Sequence, residues 1–308
     1  MIALARQARR RAIAAVVVLP LTAHAHVEAE SSTGWAWDPS ILIPMAVLAV
    51  LYSIGTTKLR LRSHGGLRRL HTRACLFASG WIALIGALCS PLHAWAMRSF
   101  TAHMVEHELL MLVAAPLLVL SQPLAVLLWA LPARTRLAVG RGVRSAWVAR
   151  PWRVLTAPVS ATLLQAAVLW FWHAPSLFDR ALRSDVWHAA QHACFIASSL
   201  FFWHAVAVGH GAVARERRGL SAFCLFVTSI VSGALGALMA FSNSPWYAGY
   251  ASLGVMPFGL TPAEDQQLAG LVMWIPGGLV HAVVALVLVR SLLSTTTPTG
   301  PVRHAVES

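Results

Sequence analysis

Apolar runs of about 18 to 24 residues recur along the chain, each long enough to cross about 30 Å of hydrocarbon as a helix, and short basic segments separate them. A chain built this way reads as all-α, a polytopic membrane helix bundle. Composition agrees: 308 residues with 57% hydrophobic and 11% charged side chains and a mean hydropathy of +0.65 exclude a water-soluble globule, whose charged fraction would be more than twice as large.

Seven spans are expected, at roughly 40–57, 74–92, 103–130, 154–173, 186–208, 220–241 and 268–290. The third is too long for one straight crossing, so Pro116 and Gln122-Pro123 are expected to kink it or end it early, leaving an interfacial helix through Trp129. Ahead of the spans, Arg6, Arg9, Arg10 and Arg11 precede an apolar stretch and then Ala23-His24-Ala25, the pattern of a secretory signal peptide with an A-x-A cleavage site. An uncleaved anchor is the alternative. The expected layout is a signal peptide at 1–25, an extracytoplasmic segment at 26–39, a seven-helix transmembrane domain at 40–290 and a disordered cytoplasmic tail at 291–308.

Orientation follows from the basic residues. Alternate loops hold 17 Lys and Arg, including the clusters Lys58–Arg73 and Arg134–Arg153, whereas the opposite loops hold only Arg98, Arg180 and Arg183 against nine acids. The basic side is expected to be cytoplasmic, with the N-terminus outside, the C-terminus inside and the chain in the bacterial plasma membrane. A net charge of +13 is thereby explained by the lipid bilayer, and no nucleic acid partner is needed. Cys75, Cys89, Cys194 and Cys224 lie in apolar runs without a C-x-x-C pair and read as small buried hydrophobes.

The 14 histidines are placed unevenly. His103 and His107 open the third span and His188 and His192 the fifth, each pair four residues apart and so stacked on one helical face. His173 ends the fourth span, His93 the second, and His281 lies within the seventh. Imidazole nitrogens suit copper, zinc, iron and nickel, and ionisable groups inside a membrane are costly enough that they usually serve a function. The pattern favours a metal site of His103, His107, His173, His188 and His192, with His281 as a deeper acceptor; interfacial histidines bonded to carbonyls and water are the simpler alternative. Since ligation needs neutral imidazole, binding should weaken as pH falls through about 6.5.

Other metal chemistries fit less well. His103-Met104-Val105-Glu106-His107 matches the H-x-x-E-H protease pattern, but no third ligand follows on the helix, and Glu106 and Glu108 read more simply as carboxylates at a helix N-terminus. Two histidines at equal depth, such as His107 and His192, would allow haem, yet vicinal pairs suit a small ion better. Met97, Met104 and Met111 would favour Cu(I) if they were ligands, and read otherwise as apolar filler. His204 lies about 24 Å along its helix from His188 and reads as structural. Trp246, Tyr247 and Tyr250 read as an interface belt, as do Trp170, Trp172, Trp187 and Trp203. Asp265 and Gln266 read most simply as solvated loop polars, with orientation of ligand imidazoles as the alternative.

Three ordered blocks resemble a known family. They are His103-Met104-Val105-Glu106-His107-Glu108-Leu109-Leu110-Met111 continuing to Ala115-Pro116 and Gln122-Pro123; Trp172-His173-Ala174-Pro175 with Trp187-His188-Ala189-Ala190-Gln191-His192; and Asp265-Gln266-Gln267 through Met273-Trp274-Ile275-Pro276-Gly277-Gly278. Together they resemble the seven-helix bacterial cytochrome c oxidase assembly factors of the CtaG type. The resemblance implies a plasma-membrane protein needed to mature a haem-copper oxidase, with oxidase subunits as partners and copper as the suspected cargo; exchange between ligands in place of catalysis is the expected mode of action. A haem- or metal-dependent membrane enzyme or electron carrier, with haem or zinc in place of copper, and a metal-free scaffold are the alternatives.

Overall fold

The computed structural model describes residues 34–62, 65–207, 213–255 and 257–294. The expected signal peptide at 1–25, most of the 26–39 segment and the tail beyond Ser294 lie outside the described residues. Within them the chain is helical without strands, an all-α polytopic bundle.

Asp38 starts the bundle by accepting the Ser40 amide at 2.8 Å on its side chain, and α1 (Pro39–Arg62) follows with Pro39 at its first turn. A left-handed Gly66 precedes α2 (Leu67–Leu88), and Ser90 caps the short α3 (Pro91–Ala96). Helix α4 runs from Phe100 to Ser121, and its middle, Leu109–Ala114, is wound as a π-helix. The break foreseen in the third span falls at Gln122, which takes a left-handed conformation before α5 (Pro123–Ala130).

The basic 131–153 segment, read as a loop, instead forms α6 (Ala133–Val143) and α7 (Ala146–Leu155), two helices with no buried residue. Helix α7 meets α8 (Pro158–Trp172) at a bend of 71°. Then come α9 (Pro175–Leu182), α10 (Asp185–Ala207), α11 (Val213–Ala240), the single turn α12 (Ala248–Ala251) and the long α13 (Pro262–Ser294).

Among the described residues five helices are long and apolar enough to span a membrane, and the bent α7–α8 pair would make a sixth. The remaining expected span coincides with α10, 23 residues long. Its low apolarity has a physical cause: His188, Gln191, His192, Ser198 and Ser199 are all buried along its inner face. The bundle buries these polar side chains among an apolar core and is apolar outside as well, with Ile43, Val50, Phe226, Ile230, Leu279 and Leu286 exposed on the outer faces, the pattern a lipid environment rewards.

Two glycine contacts set the packing. A Cβ on Gly270 would collide with the Gly236 carbonyl, so α11 and α13 touch backbone to backbone. A Cβ on Gly55 would collide with the Val126 carbonyl, which seats α5 on α1.

The π-helix has a local cause. Ala115 donates its amide five residues back to Leu110, and the next residue in that register, Pro116, has no N–H to offer Met111. The Met111 carbonyl is taken instead by the Trp203 indole N–H at 2.8 Å, which locks α10 to α4. Trp203 and Trp172, expected at the interface, are accordingly buried core residues, whereas Trp170 and Trp187 are partly exposed.

Candidate metal centre

Helix periodicity places His103 above His107 on α4 and His188 above His192 on α10, and packing of the two helices with the end of α8 brings the rings together. Ring centroids lie 5.2 Å apart for His103 and His188, 5.3 Å for His107 and His192 and 6.4 Å for His107 and His173. All five are buried. The ligand nitrogens of His103, His188 and His192 lie within 4.8 Å of one another. A tetrahedral ion about 2.0 Å from each would bring them to about 3.3 Å, a contraction within reach of imidazole rotation.

Three residues that spacing did not assign to the site complete it. His93, alone on α3, stacks on His188 at 5.4 Å. Its Nδ1 donates to Glu106 Oε1 at 2.8 Å, so Glu106, fully buried, faces the cluster from the helical turn between His103 and His107. The same oxygen lies 3.8 Å from His192 Nε2. Tyr250, expected in the interface belt, is 3% exposed and reaches into the site.

Hydrogen bonds fix two of the tautomers. Tyr250 donates its hydroxyl hydrogen to the Ala96 carbonyl at 2.6 Å, so toward His103 Nδ1, 2.9 Å away, it accepts. Burial, reinforced by Glu106, Asp265 and Tyr247, holds this phenol well above its ordinary pKa, so it stays a donor. His103 therefore carries its proton on Nδ1 and presents an Nε2 lone pair, 3.0 Å from His107 Nε2. His173 likewise donates Nδ1–H to the Leu169 carbonyl at 2.7 Å, leaving its Nε2 lone pair unbonded.

The cluster is short of partners in a way that fits a cation. Nε2 of His173, His188 and His192, Nδ1 of His107 and Oε2 of Glu106 are buried without a hydrogen bond, at a cost of about 1–3 kcal/mol for each. A bound ion would satisfy several at once, and the imidazole set suits copper, zinc, nickel or iron.

The surroundings set the position of these ligands. Asp265 accepts from Ser99 Oγ at 2.9 Å and the Phe100 amide at 2.6 Å, so the start of α13 caps the helix that carries His103 and His107. Asp265 orients the ligands through their backbone and touches no imidazole by hydrogen bond. Gln266 pins the connecting loop through the Trp246 amide at 2.6 Å, and Tyr247 in that loop donates to the His173 carbonyl at 3.1 Å.

His281 is not brought into the cluster. It is buried against Trp203, with rings 5.9 Å apart and 6° from parallel. His204 is also apart, its ring 5.3 Å from Trp152. Met104 and Met111 are buried in the bundle, and Met97 is exposed.

Residues 50–295 match the family described as cytochrome c oxidase caa3 assembly factor. The chain is 28% identical over 250 residues to an uncharacterized protein of Mycobacterium bovis and to one of Mycobacterium tuberculosis, covering 79% of this chain. It spans only 37% of the length of each of these curated relatives. No solved structure matches the chain.

Proposed function

The chain belongs to the cytochrome c oxidase caa3 assembly factor family, and from that membership together with the geometry of the histidine cluster we propose that it binds copper as cargo and passes it to a haem-copper oxidase subunit during assembly. The observation that carries this reading is the convergence of three histidine nitrogens within 4.8 Å, supplied by two helices, with the His103 lone pair turned toward its neighbours by Tyr250. His103, His188 and His192 are the primary ligands in this reading. His107 and His173 complete the shell as copper is exchanged, and the Glu106 carboxylate offsets the ion's charge.

The histidine end lies outside the cytoplasm in this proposal, and the plasma membrane holds the bundle. Its support is the distribution of basic residues: Lys58–Arg73 and Arg134–Arg153 join the helix ends opposite the cluster. Reporter fusions after Arg60 and after Arg180 should report opposite sides of the membrane, and the same side for both would refute this topology.

The function is tested by metal analysis of purified protein beside His103→Ala/His188→Ala, and by complementation of a deletion strain with each. The proposal expects oxidase polypeptides that persist without activity in the deletion strain, rescue by the unmodified chain, and from the variant loss of the copper held by the cluster and no rescue. Rescue by a variant that holds no metal would reduce the protein to a scaffold and overturn copper transfer.

A further inference from the structure

A small cavity, mostly apolar but with several polar side chains in its wall, lies apart from the histidine cluster. Its volume is about 20 Å³, and Glu108 and Met111 of α4, Gln165 of α8, Thr228 of α11 and Met273 and His281 of α13 line it. That is room for one water-sized occupant. Glu108 Oε2, Gln165 Oε1 and Thr228 Oγ1 are buried without a hydrogen bond, and neither ring nitrogen of His281 makes one of normal geometry. His281 is 3% exposed and Gln165 7%. Polar side chains from four helices thus line one small space with unpaired atoms, each at a free-energy cost that a shared occupant would relieve.

The lining limits the occupant. No Lys or Arg is among the residues around the cavity, and Glu108 is its one acid. An ion of charge +1 would leave the carboxylate paired and the interior neutral, whereas a divalent ion would leave a buried net charge. Met111 and Met273 share the cavity wall with His281, and soft sulfur with imidazole selects Cu(I). The hard alkali ions would find too few oxygen ligands in so small a space.

We propose that this cavity is a second site, for a soft monovalent cation of the Cu(I) class, with Met111, Met273 and His281 as donors and Glu108 as the counter-charge. The inference rests on the reading of the histidine cluster as the receiving copper site. Its position supports a relay: His107 belongs to the cluster and the adjacent Glu108 to the cavity, about 3.8 Å apart along the backbone, and Met111 follows one turn on. Cu(I) would pass by ligand exchange, imidazoles leaving as thioethers bind, with no change of oxidation state.

The test is an anaerobic titration of the purified full chain with Cu(I) against a chromophoric Cu(I) chelator, joined to X-ray absorption at the copper edge. The unmodified chain is expected to bind two equivalents and to show Cu–S scattering. Met111→Leu/Met273→Leu, close to volume-neutral, should bind one equivalent and lose the sulfur signal. His188→Ala/His192→Ala should keep one equivalent and its sulfur signal. A methionine variant that retains both equivalents with an unchanged spectrum overturns the proposal, and so does a fully loaded unmodified chain without sulfur scattering, whatever the variants' folding. One equivalent that disappears with the histidine pair and is indifferent to the methionines overturns the second site alone. One equivalent with sulfur scattering that survives loss of the pair keeps the second site and overturns the histidine cluster as the receiver.

Discussion

Tyr250 accepts a hydrogen bond from His103 Nδ1 at 2.9 Å while donating its own proton to the Ala96 carbonyl. One phenol therefore decides which nitrogen of His103 is available to a metal. Tyr250→Phe removes the acceptor, frees the imidazole to invert its tautomer and leaves the Ala96 carbonyl without this donor. Loss of a partner of this kind weakens metal affinity by about 10- to 100-fold. Chelator competition on the purified variant should show that loss with the number of bound ions unchanged. Unchanged affinity would mean that the hydrogen bond does not set the ligand.

The phenols also give a pH signature. Burial raises the Tyr250 pKa, with Glu106, Asp265 and Tyr247 adding to it, and burial raises that of Tyr247, with Asp179 adding to it. A raised folded pKa means that the folded state holds its proton more tightly than the unfolded chain. The contribution to stability is full below about pH 10, where the unfolded phenol ionises, and is lost as pH climbs through the folded values. Absorbance titration at the tyrosinate band should show Tyr247 and Tyr250 silent around pH 10, with their signal appearing only as the bundle unfolds. Reversible titration near pH 10 in the folded state would contradict their burial.

Much of this site is legible in the sequence, and what is hidden has a physical cause. A spacing of four residues fixes two imidazoles on one helical face whatever the tertiary fold, so His103 with His107 and His188 with His192 are readable as pairs. Tyr250 meets His103 across 147 positions of sequence, and no local pattern encodes such a contact. Glu106 misleads for a related reason, since a carboxylate near a helix start is ordinarily a dipole partner, and only the packing of α3 turns it toward His93. The apolar runs likewise reveal helices, but the inward polar face of α10 lowers the hydropathy that marks a span. The helices α6 and α7 escape notice because they are short and Arg-rich, and because their apolar side chains, Leu137, Trp147 and Val154 among them, stay exposed with no residue buried against the bundle.

Trp203 and Met111 offer a test of the π-helix. The Met111 carbonyl is free for the indole because Pro116 has no N–H, so Trp203→Phe leaves a buried carbonyl unpaired at a cost of about 1–3 kcal/mol. Pro116→Ala restores an amide donor that could replace the indole. Unfolding of both single variants and the double variant should therefore show Trp203→Phe costing less in the Pro116→Ala background. Equal cost in both backgrounds would show that the hydrogen bond is not what joins α10 to α4.

The decisive prediction concerns the two histidine pairs as one site. Ligand nitrogens from α4 and α10 lie within 4.8 Å of each other, so an ion between them draws on both helices. His103→Ala/His107→Ala leaves His188 and His192, too few to hold copper tightly with His173 more remote, and His188→Ala/His192→Ala leaves the converse. Each double variant should therefore lose the high-affinity site, and the quadruple variant should lose little more, because a site short of ligands is already gone. Such non-additivity is the signature of shared ligation. His204→Ala should leave this binding intact, since its ring packs on Trp152, away from the cluster. Copper binding measured by chelator competition across the four proteins settles the matter: a half-site loss for each pair, summing in the quadruple variant, would show two independent ions in place of the one shared site.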